Sequence, residues 1–329
     1  MGFDVKEYIE QLRAVGEPNR LRILALLQHG ELAVGELAQI MDQSQPRLSH
    51  HLKALANAGL VERMPEGAWV FYSIPASGPL RVFLDRIIQP IDRDSGEFSS
   101  DLRRLTRVRQ ARTEAAVAYF TKVAETWDTV RGLHSENELI ERRLLELAGP
   151  ANYKRIIDIG TGTGRMLSLF ADRAERLDGV DLSHRMLTVA RANLDRDGVP
   201  HAYVRQSDAT NLPYQDDSAD LVIIHQVLHF VDEPERIISE AARVLAPQGR
   251  LLIVDFAPHR LEFLREDHGH RRLGIRHAAL ADWSLKAGLA LADVQSFDQP
   301  ENLSEGLTVQ IWSAEKLTPE TAEKENILV

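Results

Sequence analysis

Three carboxylates and three glycines between positions 158 and 208 have the types and the spacing to hold a nucleoside. Gly160, Gly162 and Gly164 fall in DIGTGTG, directly after the apolar run RIIDI and directly before a helical pattern from Arg165 to Ala174. Such a turn lets the backbone approach a ligand closely and aims the first N–H groups of the helix at it. Asp181 closes the next apolar run about twenty positions on, where a carboxylate could accept both hydroxyls of a ribose. Asp208, in SDATNLP, could accept from an adenine amino group. Dinucleotide dehydrogenases share the glycine turn and the ribose carboxylate. Asp158, at the head of the turn, counts against that reading, because it would repel a pyrophosphate but can accept a hydrogen bond from an ammonium.

A different chemistry is written near the other end. In QPRLSHHLKALANAG, Leu48, Leu52, Leu55 and Gly59 share a narrow arc of a helical wheel, so they face a core. The opposite arc holds Pro46, His50 and Lys53, flanked by Arg47 and Ser49, and Gln45 at the helix start joins them as a candidate DNA contact. Short or cationic groups on the N-terminal half of a helix are what base edges and phosphates in a major groove require. Ser44 is placed to cap this helix, and Arg63 with the turn Pro65-Glu66-Gly67 would form a wing over the phosphates. The plainer alternative is a small helical domain whose polar face is only solvated.

These residues need elements to position them. From Val5 to Ile74 the sequence reads as four short helices and a hairpin, punctuated by Pro18, Gly30, Pro46 and Gly59. GPLRVFLDRIIQPI follows as a fifth helix suited to a dimer contact. DRDSGEFSS (92–100) reads as a linker by composition, and Arg103, Arg104, Arg107, Arg109 and Arg112 open the helical stretch after it. From Lys154, strands and helices alternate through KRIIDI, RLDGVD, HAYVRQ, ADLVIIH and GRLLIVDF, which implies a parallel sheet covered on both faces. LADVQSF and TVQIWSA supply two late strands. The expected division is 1–91 for a DNA-binding and dimerisation domain, 92–114 for the linker and Arg-rich helix, 115–316 for the nucleoside-binding domain and 317–329 for a polar tail.

Composition narrows the classes. The 329 residues suffice for two cores, and the absence of cysteine excludes disulfides, thiolate metal sites and a cysteine nucleophile. A formal net charge of −10 argues against diffuse nucleic-acid binding, so any DNA contact must come from a local patch. The opening MGFDVKEYIE has no basic flank or apolar region and no apolar run reaches the length of a membrane span, so a cytoplasmic protein is expected.

The stretches EPNRLRILALL, SQPRLSHHLKAL and AGLVERMPEGAWVFYSI resemble the ArsR/SmtB-type winged-helix repressors, dimers that read inverted repeats in double-stranded operator DNA. Metal-sensing members of that family carry paired cysteines where this chain has Ala33 and Gly35, so soft-metal sensing at that site is excluded. DIGTGTGRML, GVDLSHRML, SDATNLPYQDDSADLVIIHQVLHF and RVLAPQGRLLIVD resemble the class I S-adenosylmethionine-dependent methyltransferases, from about Ala115 to Ser313. The resemblance implies two domains, a winged helix-turn-helix, mainly α with a β-hairpin wing, then an α/β Rossmann-like seven-stranded methyltransferase fold. It implies S-adenosylmethionine or S-adenosylhomocysteine as ligand. Asp158 and Gly160 then lie near the methionine moiety, Gly162 allows close approach, Asp181 holds the ribose, Leu182 and Met186 flank the adenine, and Asp208 with Ala209 reads its edge. Tyr119, Thr161, Gly164 and His225 complete the candidate set.

Within that family, His225-Gln226-Val227-Leu228 stands in place of the Asn-Pro-Pro-aromatic tetrad of amino-methylating DNA enzymes, and arsenite methylation lacks its thiolates. A small-molecule acceptor pocket remains, built by AYFTKVAETWD, with Tyr119, Phe120 and Trp127, and by PHRLEFLREDHGHRRLGIRH. The histidines 259, 268, 270 and 277 have no specific ligand spacing and sit among arginines, so no metal site is expected. Arg271 and Arg272 are expected to cap the pocket or form salt bridges. His225 and His229 could act as a general base or merely line the pocket, and no catalytic residue is assigned. Together the resemblances imply a DNA-binding transcriptional regulator, a repressor, that takes the S-adenosyl nucleoside as effector and is tied to methionine and methyl-cycle control. The alternative is a working small-molecule methyltransferase whose attached domain controls its own operon.

Overall fold

The apolar arcs of the first hundred residues close on one another in the computed structural model, which describes residues 4–66, 69–75, 78–91, 96–112, 114, 137–150, 152–268, 270–297 and 307–317. Helices α1 (Val5–Val15), α2 (Pro18–Leu27), α3 (Val34–Met41) and α4 (Gln45–Asn57) precede the hairpin of β2 (Glu62–Glu66) and β3 (Trp69–Ser73). A two-residue strand, β1 (Leu32–Ala33), adds to the hairpin and makes a three-stranded sheet. So short a strand leaves no periodicity to read. Proline at N1 and the Glu17 carboxylate, which accepts from the Arg20 amide at 2.9 Å, start α2. Ser44 does occupy the N-cap of α4, but its side chain makes no capping bond.

After α5 (Gly78–Ile88) the stretch read as a linker by composition is helical from residue 96, as the start of α6 (96–112). Leu105 and Val108 of α6 are buried in the same core as Leu24, Leu48 and Leu52. Asp101 explains the attachment. Fully buried, it grips the Arg22 guanidinium through two bonds of 2.7 and 2.8 Å, a pairing 79 residues apart that local composition cannot disclose.

The second unit opens with α7 (Asn137–Ala148) and continues β4 (Tyr153–Ile159), α8 (Arg165–Leu169), β5 (Ala174–Asp181), α9 (His184–Asp197), β6 (Ala202–Gln206), β7 (Ala219–His225), α10 (Pro234–Val244) and β8 (Leu245–Phe256). Then come α11 (Phe263–His268), α12 (His277–Lys286), β9 (Leu289–Phe297) and β10 (Val309–Lys316). The sheet order is β6-β5-β4-β7-β8-β10-β9, with β10 antiparallel to both neighbours and the other pairings parallel. The apolar runs of β4 and β7 lie wholly inside, with one core on each face of the sheet. Helix α8 is shorter than its pattern suggests, ending at Leu169 and passing through a 3-10 turn, Ala171–Arg173.

Ion pairs join the two units along β5, β6 and α9. Glu31 and Arg191 pair at 2.7 Å with side chains only 5% and 4% exposed, and the Arg191 guanidinium lies 3.6 Å above the Phe71 ring. Arg112 of α6 bridges Glu36 at 2.6 Å and Asp195 at 3.0 Å, and Arg109 reaches Asp195 as well. Glu62 of β2 holds Arg176 through two bonds of 2.9 Å. Tyr203 donates its hydroxyl to the Ile74 carbonyl.

Candidate functional site

Parallel register brings the C-terminal ends of five strands to one edge, where the strand order reverses between β4 and β7. A crevice forms at such a switch point. Here it is a cavity of about 700 Å³. Asp158, Gly160, Thr161 and Gly162 reach it from β4 and its turn, and Asp181, Leu182 and Met186 from β5 and the start of α9. Asp208 and Ala209 follow β6, and His225 ends β7. Gly164 does not line the cavity. Its φ of +78° ends the turn and its missing side chain lets α8 lie against Ala190 of α9. Tyr119, with Phe120 and Trp127, lies outside the described residues.

Two loops are clamped by one side chain. The Asp181 carboxylate accepts from the Gly162 amide at 2.9 Å and from the Ser183 amide at 2.8 Å, one on each oxygen. A carboxylate offers about four acceptor sites, so lone pairs remain for a pair of vicinal hydroxyls. Asp208 is held by the Thr210 amide and hydroxyl, both at 2.8 Å on the same oxygen, which keeps its carboxyl below the usual range and frees the other oxygen. At Gly160, where φ is +73°, a Cβ would stand 2.3 Å from the Val227 side chain. Only glycine fits there.

Asp158 is the charged group of this site that the protein leaves unanswered. It is 1% exposed and neither carboxylate oxygen has a hydrogen-bond partner among the described residues. Burial pushes its carboxyl up to about 7 and nearby Asp181 adds to this, while the Thr161 side chain, close but without a proper hydrogen bond, pulls the other way. A buried carboxyl lining a cavity with a half-neutralised charge is suited to receive a cation, and an ammonium would supply both the charge and the donors.

The far wall combines rings and imidazoles. His229 is buried, and its Nδ1 lies 2.7 Å from Asp255 Oδ1. Asp255 also accepts from the amides of Leu228 at 2.9 Å and Phe256 at 2.8 Å. The His229 ring packs against Phe230, Phe256 and His270 with centroids 4.0, 4.9 and 4.2 Å away. Of the other histidines, His277 Nδ1 accepts from the Trp312 indole at 3.2 Å and His259 Nδ1 from the Leu261 amide at 3.3 Å. Arg272 donates to the Asp232 carbonyl at 2.6 Å, and Arg271 stands 3.8 Å from the Asp232 carboxylate. No group of three histidine or carboxylate side chains among the described residues is arranged to hold a metal ion.

The other predicted face lies on the first unit. Leu48, Leu52 and Leu55 are buried, and Gln45, Arg47, Ser49, His50 and Lys53 are all exposed on α4. His51, one residue on from His50, turns inward to Glu17 at 3.3 Å. Arg63 is exposed on β2, whose alternate residues Glu62 and Met64 point to the second unit and to the core. The hairpin tip, 67–68, lies outside the described residues. Of the Arg-rich run, Arg104, Arg109 and Arg112 are spent on Ile40, His29, Glu36, Asp101 and Asp195 rather than presented to a partner.

One contact links the two faces and could not be read from sequence. Trp69, at the start of β3, stacks on His184, ring centroids 5.9 Å apart and planes at 13°. His184 begins α9, whose N-cap Ser183 is the residue tied to Asp181.

Comparison with known proteins gives two family matches, "Bacterial regulatory protein, arsR family" over residues 17–63 and "Methyltransferase domain" over residues 157–253. An uncharacterised methyltransferase of Bacillus subtilis, YcgJ, is 30% identical over 186 residues, covering 53% of this chain and 69% of its own. A phosphatidylethanolamine N-methyltransferase of Cereibacter sphaeroides is 38% identical over 102 residues, 31% of this chain and 50% of that one. The solved structure of YcgJ aligns with 54% of this chain and 98% of its own at 21% identity and a TM-score of 0.48.

Proposed function

Because the chain belongs to the class I S-adenosylmethionine-dependent methyltransferases and carries an ArsR-type DNA-binding domain ahead of that fold, we propose that it is a transcriptional regulator whose operator affinity is set by S-adenosylmethionine or S-adenosylhomocysteine in the cavity. The observation that carries this reading is the stack of Trp69 on His184. A nucleoside held by Asp181 and flanked by Leu182 and Met186 bears on the loop that starts α9, and that loop meets the wing directly. Further along, α9 presents Arg191 and Asp195 to Glu31, Arg112 and Arg109. One helix thus touches both tasks. The pocket suits this ligand through the unanswered charge of Asp158, which matches the amino group of a methionine moiety, and through the bare backbone at Gly160.

The protein acts as a cytoplasmic homodimer on an inverted repeat, with α4 in the major groove. Val5, Tyr8, Ile9 and Leu12 of α1 and Val82 of α5 are exposed apolar groups of the kind a dimer contact covers, and no described helix is long and apolar enough to cross a membrane. Gln45, Arg47, Ser49, His50 and Lys53 read the bases and Arg63 positions the wing on phosphate.

Coupling between two sites is commonly about 1–3 kcal/mol, so one of the two nucleosides should shift DNA affinity roughly 5- to 150-fold. Linkage is reciprocal. Titration of each nucleoside, with and without a duplex selected by the protein from a random pool, tests the reading. Equal nucleoside affinities in the two conditions reject it.

A further inference from the structure

His229 lines the same cavity with the fully buried Asp255 behind it, yet neither is needed to hold a nucleoside. The Asp255 carboxylate takes the amides of Leu228 and Phe256, so it is held as an acceptor, and the 2.7 Å contact to His229 Nδ1 fixes the proton on that nitrogen. Nε2 is then the bare nitrogen, and the imidazole lines the cavity in the tautomer of a base. Around His229 the cavity wall is aromatic, made by Phe230, Phe256 and His270 with Val231 beside them, and the Phe256 and His270 rings lie nearly parallel, at 15°. The side chains of Phe230, Val231 and Phe256 beside His229 carry no charge, which suits a neutral acceptor.

We infer that the cavity has a second compartment for a planar aromatic hydroxyl compound, a phenol or enol, and that His229 is the base that takes its proton for methyl transfer to oxygen. The inference rests on the nucleoside reading of the pocket, and not on its coupling to DNA. S-Adenosylmethionine supplies a methyl carbon on a sulfonium, whose carbon–sulfur bond breaks with the electron pair left on sulfur to give S-adenosylhomocysteine. The hydroxyl O–H bond breaks as the oxygen forms its bond to that carbon. The proton passes to His229 Nε2, and the imidazolium, steadied by Asp255, returns it to water after the ether has left. His229 is the catalytic residue and Asp255 its positioning residue.

4-Nitrophenol is a planar probe whose phenolate absorbs visible light. Added to the full-length protein saturated with S-adenosylhomocysteine, at a pH where the free phenol is mostly protonated, it should bind and show the phenolate band. In His229→Gln the band should vanish while calorimetric binding of S-adenosylhomocysteine persists. With S-adenosylmethionine, conversion of the probe to its methyl ether should fall about 10²- to 10⁴-fold in His229→Gln. Asp255→Asn, which keeps the size of the side chain but sets an NH2 against one of its donors, should lower kcat about 10- to 100-fold with KM nearly unchanged, so the question survives a misfolded His229 variant. Three results overturn the inference: no uptake of the probe by protein that binds S-adenosylhomocysteine, uptake only as the neutral phenol, or an intact band in both variants. Failure of S-adenosylhomocysteine to bind the wild type removes the nucleoside reading and this one together. Loss of DNA coupling alone leaves this one standing.

Discussion

At Asp158 the chain keeps a carboxyl in the folded state that would rather be in water, and the sign of its effect on pH dependence follows. Its folded value of about 7 lies above the ordinary 3.8, so its contribution to the stability of the ligand-free protein is full below pH ~4 and lost as the pH rises through ~7. Asp158→Asn should therefore raise the unfolding free energy at pH 8, by about 1–3 kcal/mol, with little change at pH 4, as read from urea midpoints. Ligand binding should move the other way. An ammonium needs the ionised form, so affinity for S-adenosylhomocysteine should climb toward tenfold per pH unit from ~5 to ~7 and then level, and the variant should bind weakly and without that slope. A flat wild-type profile by calorimetry would reject the ammonium role. At Asp181, alanine removes the acceptor of two amides as well as any ribose bonds, and nucleoside binding should weaken by about 2–3 kcal/mol. Gly160→Ala should be worse than its size suggests, since Val227 would have to move by more than an ångström for a residue already strained at φ +73°. Unchanged nucleoside affinity in that variant would place the pocket elsewhere.

Among the elements, α4 and α9 make different demands. Helix α4 exposes Arg47 and Lys53, and each alanine should weaken binding to the selected duplex by about 1–3 kcal/mol if it meets a base, or lower the salt slope by about one if it meets a phosphate. Nucleoside affinity of the free protein should not change, and normal DNA binding in the double variant excludes α4 as the reading helix. Helix α9 carries a buried cation. Glu31→Ala removes a carboxylate that neutralises the buried Arg191, which should cost about 3–5 kcal/mol, whereas replacing both residues with apolar groups should cost far less. Chemical denaturation of the two variants measures this, and equal losses for the single and double changes would refute it. Much of this level was legible beforehand. Alternating apolar runs announced the parallel strands, the carboxylates at strand ends marked the pocket, and the arc of Leu48, Leu52 and Leu55 oriented α4. Local pattern could not reveal that α6 belongs to the first core, because its reason is Arg22 lying 79 residues from Asp101. Nor could it show that His229 has a carboxylate behind it, because Asp255 lies on a neighbouring strand. The carboxylate partners of Arg109 and Arg112, Asp195 and Glu36, are likewise distant in sequence.

For the whole molecule, the wing is where ligand and DNA should communicate. Trp69→Ala should leave nucleoside affinity without DNA, and DNA affinity without nucleoside, each within about threefold, while reducing the coupling between them below ~1 kcal/mol. Undiminished coupling in this variant would move the link to the Glu31–Arg191 contact. The manner in which the two units meet also bears on how such a protein can be rebuilt. Glu31 and Glu62 are negative charges contributed by the DNA-binding half, answered by Arg191 and Arg176 of the other half. A chimera that sets this regulator half in front of a different methyltransferase inherits two carboxylates aimed at its flank. Unless the newcomer offers cations at matching heights on its second strand and third helix, the halves will repel each other and the graft will behave as two proteins on a string.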